Sequence, residues 1–338
     1  LRLSPKQIEN LCQQLLQAAG ANQENASLAA EIFRRATTKG IGHHDLSYLP
    51  ARLKLLRSGR VNGTAQPQEI WKKGAMSVFD GKNGLGEACC HYAVRQALEL
   101  AQAQGLGLCT VRHSNHFLAG IAYSEIISEA GLMGLVWSNT DASMSAPEST
   151  EMVIGNNPVS FGSPSEDHPF LMDICMAYAS LGTLASLKDQ SIPAHWGLNA
   201  QRQSAKTAQE ILQGGVGSPI GNHKGFGLAL MHEFLTAGLN GGEWGVEAPP
   251  LSGGLGVHSQ TVLVLSLPFG IEDLKQRTKS LKSVIHDRSP NTRLPGDRAS
   301  AYQKEVFAKG YELPPELEHN LKTWCEELNL RWEHLLEA

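Results

Sequence analysis

No segment of this sequence concentrates positive charge. Its 29 Lys and Arg are interspersed with 33 Asp and Glu, for a net charge of −4, so the electrostatic footprint of a nucleic-acid or anionic-membrane binder is missing. No apolar run approaches the ~20 residues a bilayer span needs. The six cysteines (Cys12, Cys89, Cys90, Cys109, Cys175 and Cys325) form no CxxC and no framework spacing. They are expected to be reduced, mostly buried thiols of a cytoplasmic protein. GxGxxG after a strand, GxxxxGK[ST], HExxH and GxSxG are absent too, which leaves Rossmann sites, P-loops, zincins and nucleophile elbows without support. Repeats, low-complexity tracts and Ser/Pro linkers are also lacking. What remains is 338 residues, 41% hydrophobic and 18% charged, enough for two or three lobes around a real core.

The opening "LRLSPKQIENLCQQLLQAAG" has polar residues in every apolar run and reads as a helix, not a signal peptide. Ser4 can cap it, Pro5 fits the first turn, Gln7 completes a capping box, and Ile8, Leu11 and Leu15 follow at helical spacing. A second helix carries Leu28, Ile32, Phe33 and Ala36, and a third carries Leu46, Leu49, Leu53 and Leu56. The glycine-rich turn "KGIGHHD" between them sets His43 and His44 before a helix start, with Asp45 as cap. "AMSVFDGKNGLGE" reads as strand and turn before a helix through Val94, Ala97 and Ala101, the helix that holds Cys89 and Cys90. From Gly105 the pattern is strand, helix, strand, a βαβ crossover with "SNH" and "SNT" at carboxyl ends of strands, where open α/β sheets place ligands. A hairpin over "NPVSFGSPSEDHPFLMDICMA", a helix opening at "GNHKGFGLAL", a strand "TVLVLSL" and a helical end from Pro314 complete the chain. Helical ends around an α/β middle suggest that the termini share a lobe.

The chemistry concentrates in two histidine pairs, His43/His44 and His113/His116. With Asp45 and Asp173 they could ligate zinc or iron for a metal-dependent hydrolase or lyase, although HxxH across a strand-to-helix junction does not assure one helical face. "DGKNGLGE" (Gly81, Gly84, Gly86) reverses the spacing of a dinucleotide fingerprint and is most simply a turn. "SPIGNHKGFGLAL" brings Gly221, Gly225, Gly227 and Lys224 to a helix start suited to phosphate. Neither Ser114 beside His116 nor Cys175 near Asp173 identifies a nucleophilic triad. His91, His258, His319 and His334 read as solvated helix or loop residues. His44 and His116 differ, because a polar junction at a helix start opposes the charged ring and keeps an imidazole neutral.

In order along nearly the whole chain, these segments resemble the malate/L-lactate dehydrogenase family with its non-Rossmann NAD(P) fold. "KGIGHHDLSYLP" is similar to Gly-x-x-Ser-His-Gly-x-x-Arg-x-Pro, "IGNNPVSFGSP" to a Gly-Thr-Asn-Pro strand, "LMDICMA" to Asp-Met-Ala-Thr-Ser, "PIGNHKGFGLAL" to Pro-x-Gly-x-x-Lys-Gly, and "RLPGD" to Arg-Leu-Pro-Gly. The resemblance implies an α/β (α+β) fold. Residues 1–118 with 252–338 would form a helical, substrate-binding lobe, and 119–251 a mixed-sheet NAD(P)-binding lobe. It also implies a homodimer and hydride transfer between NAD or NADP and a small-molecule 2-oxo (or cyclic imino) acid or 2-hydroxy acid. His44 and His116 would be the catalytic imidazoles, facing each other across the substrate with no metal between. Thr140, Asp173, Ile174, Cys175, His223, Lys224, Gly296, Asp297 and Arg298 would meet the dinucleotide, and His43, Tyr48 and Asn157 the substrate. Three departures stand out: His43 replaces the family Ser, Asp45 the Gly, and Tyr48 the Arg that could clamp a substrate carboxylate. The family's Gly-x-Pro-Thr-Thr-Asp-Pro region is also missing after "WGLNAQRQSAKTAQE". A catalytically silent, cofactor-binding member is the alternative these departures raise.

Overall fold

The structure is a computed structural model and describes residues 1–248 and 255–337. Helix α1 (Pro5–Ala18) opens on a full capping box: the Gln7 N–H donates to Ser4 Oγ and the Ser4 N–H to Gln7 Oε1. Two amides beyond the reach of any helical carbonyl are thereby satisfied. Its Ile8, Leu11 and Leu15 are buried, as are Ile32, Phe33 and Ala36 of α2 (Gln23–Thr38). The third expected helix begins as a 3-10 turn over Leu46–Tyr48, capped by Asp45, and continues as α3 (Leu49–Arg57). Helices α4 (Gly86–Gln104) and α5 (Gly120–Glu129) follow, then the short α6 (Leu181–Leu187) and α7 (Ala208–Leu212), and α8 (His223–Glu233). The chain ends in α9 (Ile271–Arg288), α10 (Asp297–Lys309), α11 (Pro315–Glu327) and α12 (Trp332–Leu335). Of these, α10 packs on α2, α11 on α3 and α12 on α1.

The main sheet has seven strands in the order β2 (Gln68–Lys73), β3 (Met76–Asp80), β4 (Leu106–Ser114), β12 (His258–Leu265), β5 (Met133–Ser138), β8 (Val159–Ser163) and β9 (Phe170–Ile174). A four-stranded sheet joins β10 (Gly197–Leu198), β11 (Val216–Gly217), β6 (Met144–Ser145) and β7 (Met152–Ile154), and β1 (Arg2–Leu3) pairs with β13 (Tyr311–Glu312). The expected hairpin is β8–β9. The expected crossover differs in one respect: β4 and β5 share a direction, but β12 lies between them, antiparallel to both. Local periodicity cannot reveal a strand inserted from far along the chain. Strand β2 leaves no signal in the sequence, because all six of its residues are exposed and show no alternation.

Strand insertion sets the position of the site. The carboxyl ends of β4, β5 and β9 and the amino ends of β8 and β12 all reach one edge of the sheet. The same sheet takes β2, β3, β4 and β12 from the segments expected in the helical lobe and β5, β8 and β9 from those expected in the cofactor lobe. Helices α4 and α5 pack on the sheet, and a buried ion cluster joins α5 to the end of α2. Arg35 Nη1 donates to Glu125 Oε2 at 2.7 Å, and Lys39 Nζ reaches Glu125 Oε1. Burial pulls the Lys39 ammonium down while Glu125 pulls it back up. This cluster fixes the point where the His43–His44 loop departs.

Candidate active site

A cavity of about 910 Å³ opens at that sheet edge, within the size range of small-molecule sites. His43, His44, Tyr48 and His116 line it together. The His44 ring centroid is 4.3 Å from that of His43 and 4.7 Å from that of His116, and Tyr48 stacks on His116 at 5.0 Å and 29°. His44 and His116 are thus too close to hold a substrate between them, and they form one continuous wall. Burial, followed by the neighbouring His43, pulls the His44 imidazole down to about 3, and burial followed by His44 pulls His116 well below its ordinary value. The expected cause was a helix start. His116, however, precedes α5 by a loop, since that helix begins only at Gly120, and desolvation supplies the effect instead. The Leu118 N–H donates to His116 Nδ1 at 3.3 Å, which leaves the proton of the neutral ring on Nε2. His43 Nε2 lies 3.0 Å from the hydroxyl of Ser180, the cap of α6.

Behind this wall stands a fully buried ion pair. Arg52 Nη2 donates to Glu87 Oε1 and to the His116 carbonyl, both at 2.7 Å, and its guanidinium lies 5.5 Å from the Tyr48 ring centroid. It braces both Tyr48 and His116. His113 lies outside the cavity, its Nδ1 2.8 Å from Asp80 Oδ2. Among the described residues no three His, Cys, Asp or Glu side chains converge as a metal would require.

The residues expected at the dinucleotide separate into two groups. Thr140, Asp173, Ile174, Cys175, Gly296 and Arg298 line the cavity. The Asp173 carboxylate accepts the Ile121 N–H at 2.9 Å at the start of α5, and burial pushes it up to about 6. The Cys175 thiol is likewise pushed up by burial. His223 and Lys224 are exposed on the first turn of α8, outside the cavity. Asp297 turns away from it, accepting the Leu294 N–H at 2.8 Å and lying 3.2 Å from His168 Nε2. Asn157 is fully buried and does not line the cavity. Its Oδ1 accepts the Thr140 N–H (2.9 Å), and its Nδ2 donates to Glu233 (2.9 Å) and the Ala229 carbonyl (3.0 Å), so it shapes the Thr140 loop.

Sequence reasoning missed Asp141, Asn156, His258 and Arg293, which also line the cavity. His258 and His91 are not solvated as expected. His258 is buried 2.9 Å from Asp141, and His91 is buried 3.0 Å from Glu31. Asp141 lies one residue beyond "SNT" and could have been found at the end of its strand. His258 gave no such signal, because the position of β12 is set by distant pairing.

A nicotinamide dinucleotide fits this lining. Arg293 and Arg298 are exposed at the cavity and make no ion pair among the described residues, so two guanidinium groups are available for phosphates. Gly296, at φ +94, brings the backbone within about a van der Waals contact of Leu171, where a Cβ would sit 3.0 Å from the Leu171 nitrogen. A sequence profile of the malate/L-lactate dehydrogenase family matches residues 3–322. The chain belongs to that family. The sulfolactate dehydrogenase of Methanocaldococcus jannaschii superposes with a TM-score of 0.90 at 25% identity, covering 99% of each chain. The Δ1-piperideine-2-carboxylate reductase of Pseudomonas syringae pvar. tomato superposes with a TM-score of 0.86 at 26% identity, covering 96% of this chain and 99% of that one. The (2R)-3-sulfolactate dehydrogenase (NADP(+)) of Chromohalobacter salexigens is 28% identical over 330 residues, 96% of this chain and 98% of its own.

Proposed function

We propose that this malate/L-lactate dehydrogenase family member transfers a hydride between NAD(P)H and a 2-oxo or cyclic imino acid, with His44 and His116 managing the proton. It is an NAD(P)-dependent oxidoreductase acting on 2-hydroxy and 2-oxo acids. One observation carries the assignment of the wall: His44 and His116 are held neutral side by side on the cavity. When bound, the dihydronicotinamide supplies the hydride. Gly296, Arg293 and Arg298 would hold its phosphates, and the walls around Thr140 and Asp173 to Cys175 its remaining length. His116 Nε2–H donates a hydrogen bond to the substrate oxygen. In oxidation, neutral His44 takes the hydroxyl proton. In reduction, the carboxylate of a substrate bound beside His44 favours the protonated ring, which takes its proton from solvent, and His44 gives that proton to the oxygen. Tyr48 closes the wall by stacking on His116.

The two-lobe division, 1–118 with 252–338 and 119–251, belongs to the same proposal, with the shared sheet as the seam. Homodimerisation is supported by the exposed apolar side chains Leu228, Met231 and Phe234 along α8 and its continuation. A cytoplasmic setting is supported by six free cysteines. No helix among the described residues is long and apolar enough to cross a membrane.

The test is a screen of 2-oxo acids and cyclic imino acids against NADH and NADPH, following loss of the reduced dinucleotide. Turnover of one such class is expected. Failure to bind either dinucleotide, read by its fluorescence, would refute the proposal.

A further inference from the structure

Asp141 and His258 take no part in the proton step above, yet both line the cavity. Strand β5 delivers Asp141 just beyond its carboxyl end. Strand β12 delivers His258 at its first residue, directly opposite Ser114 and therefore beside the loop that carries His116. His258 Nε2 lies 2.9 Å from Asp141 Oδ1. His258 is 7% exposed, so this is a built pair and not a chance surface contact.

The charges lining the cavity give the pair its meaning. Among the described residues, the lining holds two carboxylates, Asp141 and Asp173, two guanidinium groups, Arg293 and Arg298, and four imidazoles. Both arginines flank Gly296 at the start of α10 and are committed to dinucleotide phosphates in the function proposed above. His44 and His116 are neutral in the free protein. Tyr48 stands where an arginine would clamp a carboxylate, and Arg52 beneath it is spent on Glu87 and the His116 carbonyl. Neutral donors, the Tyr48 hydroxyl and the His116 Nε2–H, can hold one carboxylate. Among the described residues no fixed cation remains for a second anionic group, and Asp141 opposes one through like-charge repulsion in a half-solvated site. An imidazole already bound to Asp141 brings no net positive charge, whatever its protonation.

We propose that the Asp141–His258 pair is a specificity determinant that selects 2-oxo or cyclic imino acids bearing a single carboxylate and rejects those with a second carboxylate or a sulfonate. This inference rests on the hydride-transfer function proposed above, but it is tested by binding and not by turnover.

Lactate and malate differ by one carboxylate and form dead-end complexes with a dehydrogenase holding reduced dinucleotide. Their affinities are read from the change in dinucleotide fluorescence. The wild-type protein is expected to bind lactate at least about tenfold more tightly than malate. Asp141→Asn, nearly isosteric, should narrow that ratio by about tenfold, whereas His258→Gln, which leaves the carboxylate in place, should preserve or widen it. Malate binding as tightly as lactate, an unchanged ratio in Asp141→Asn, or binding of neither acid would overturn the proposal. Discrimination retained by a protein that reduces no 2-oxo acid would support the pair's role while counting against the reaction.

Discussion

His44 and His116 share a cavity with His258 but not its circumstances. The first two touch each other, an extra imidazole and a tyrosine, and make no ion pair among the described residues. His258 is fastened to Asp141, as His113 is to Asp80 and His91 to Glu31. A carboxylate partner fixes the orientation of an imidazole. Desolvation without such a partner leaves a neutral ring whose protonation follows whatever enters the cavity. Residue type is identical in the two regions, so the neighbours decide which ring exchanges protons and which one is held beside the carboxylate that screens substrates.

The largest effect should come from removing the unpartnered rings. His44→Ala and His116→Ala are each expected to lower turnover by roughly 10²- to 10⁴-fold while leaving reduced-dinucleotide affinity nearly unchanged. Steady-state rates beside a fluorescence titration separate the two quantities, and full turnover in either variant would remove that residue from the mechanism. Next in size is the brace behind the wall. Glu87→Gln leaves the fully buried Arg52 charge without its counter-ion, which should cost about 3–5 kcal/mol of stability in denaturant unfolding. A loss of less than ~1 kcal/mol would show that Arg52 is solvated or otherwise paired.

A smaller effect is expected at Gly182, where an added Cβ would lie 2.2 Å from the His43 ring. Gly182→Ala must displace the ring or α6, and about a tenfold fall in kcat/KM is expected, given that ~1 Å of misplacement can cost up to ~10². Unchanged kinetics would mean that His43 lies outside the reacting geometry. The pH dependence of stability should be the subtlest sign of the contrast. His44 titrates at about 3 in the fold against 6.5 ordinarily. Below pH 6.5 the unfolded chain therefore takes up a proton that the folded one does not, and stability is complete above 6.5 and falls as pH drops towards 3. Asp173, pushed up to about 6, acts in the opposite sense: its contribution is fullest at acid pH and is lost as pH rises through about 6. The decline in Tm from pH 6.5 to about 4.5 should be shallower in His44→Gln than in the parent protein. Parallel profiles would contradict the buried, neutral ring.

Much of this is legible in the sequence. The capping box at Ser4, the turn at His43–His44, the β8–β9 hairpin and the start of α8 all depend on neighbours within a few residues, and local spacing reports such neighbours faithfully. The placement of β12 between β4 and β5 does not, because its hydrogen bonds join distant segments. His258 was misread for that reason, and the shared sheet edge could not be foreseen. His44 and His116 were singled out from polar junctions. Their neutrality came from burial against one another, which is a property of packing.

Nitrogen-15 NMR of the imidazole rings, followed from about pH 8 to pH 4, measures the central claim most directly. In the free protein both His44 and His116 should remain neutral at pH 7 and show no titration near 6.5, with the His116 proton on Nε2. An imidazolium at either position at pH 7, in the absence of substrate, would contradict the account.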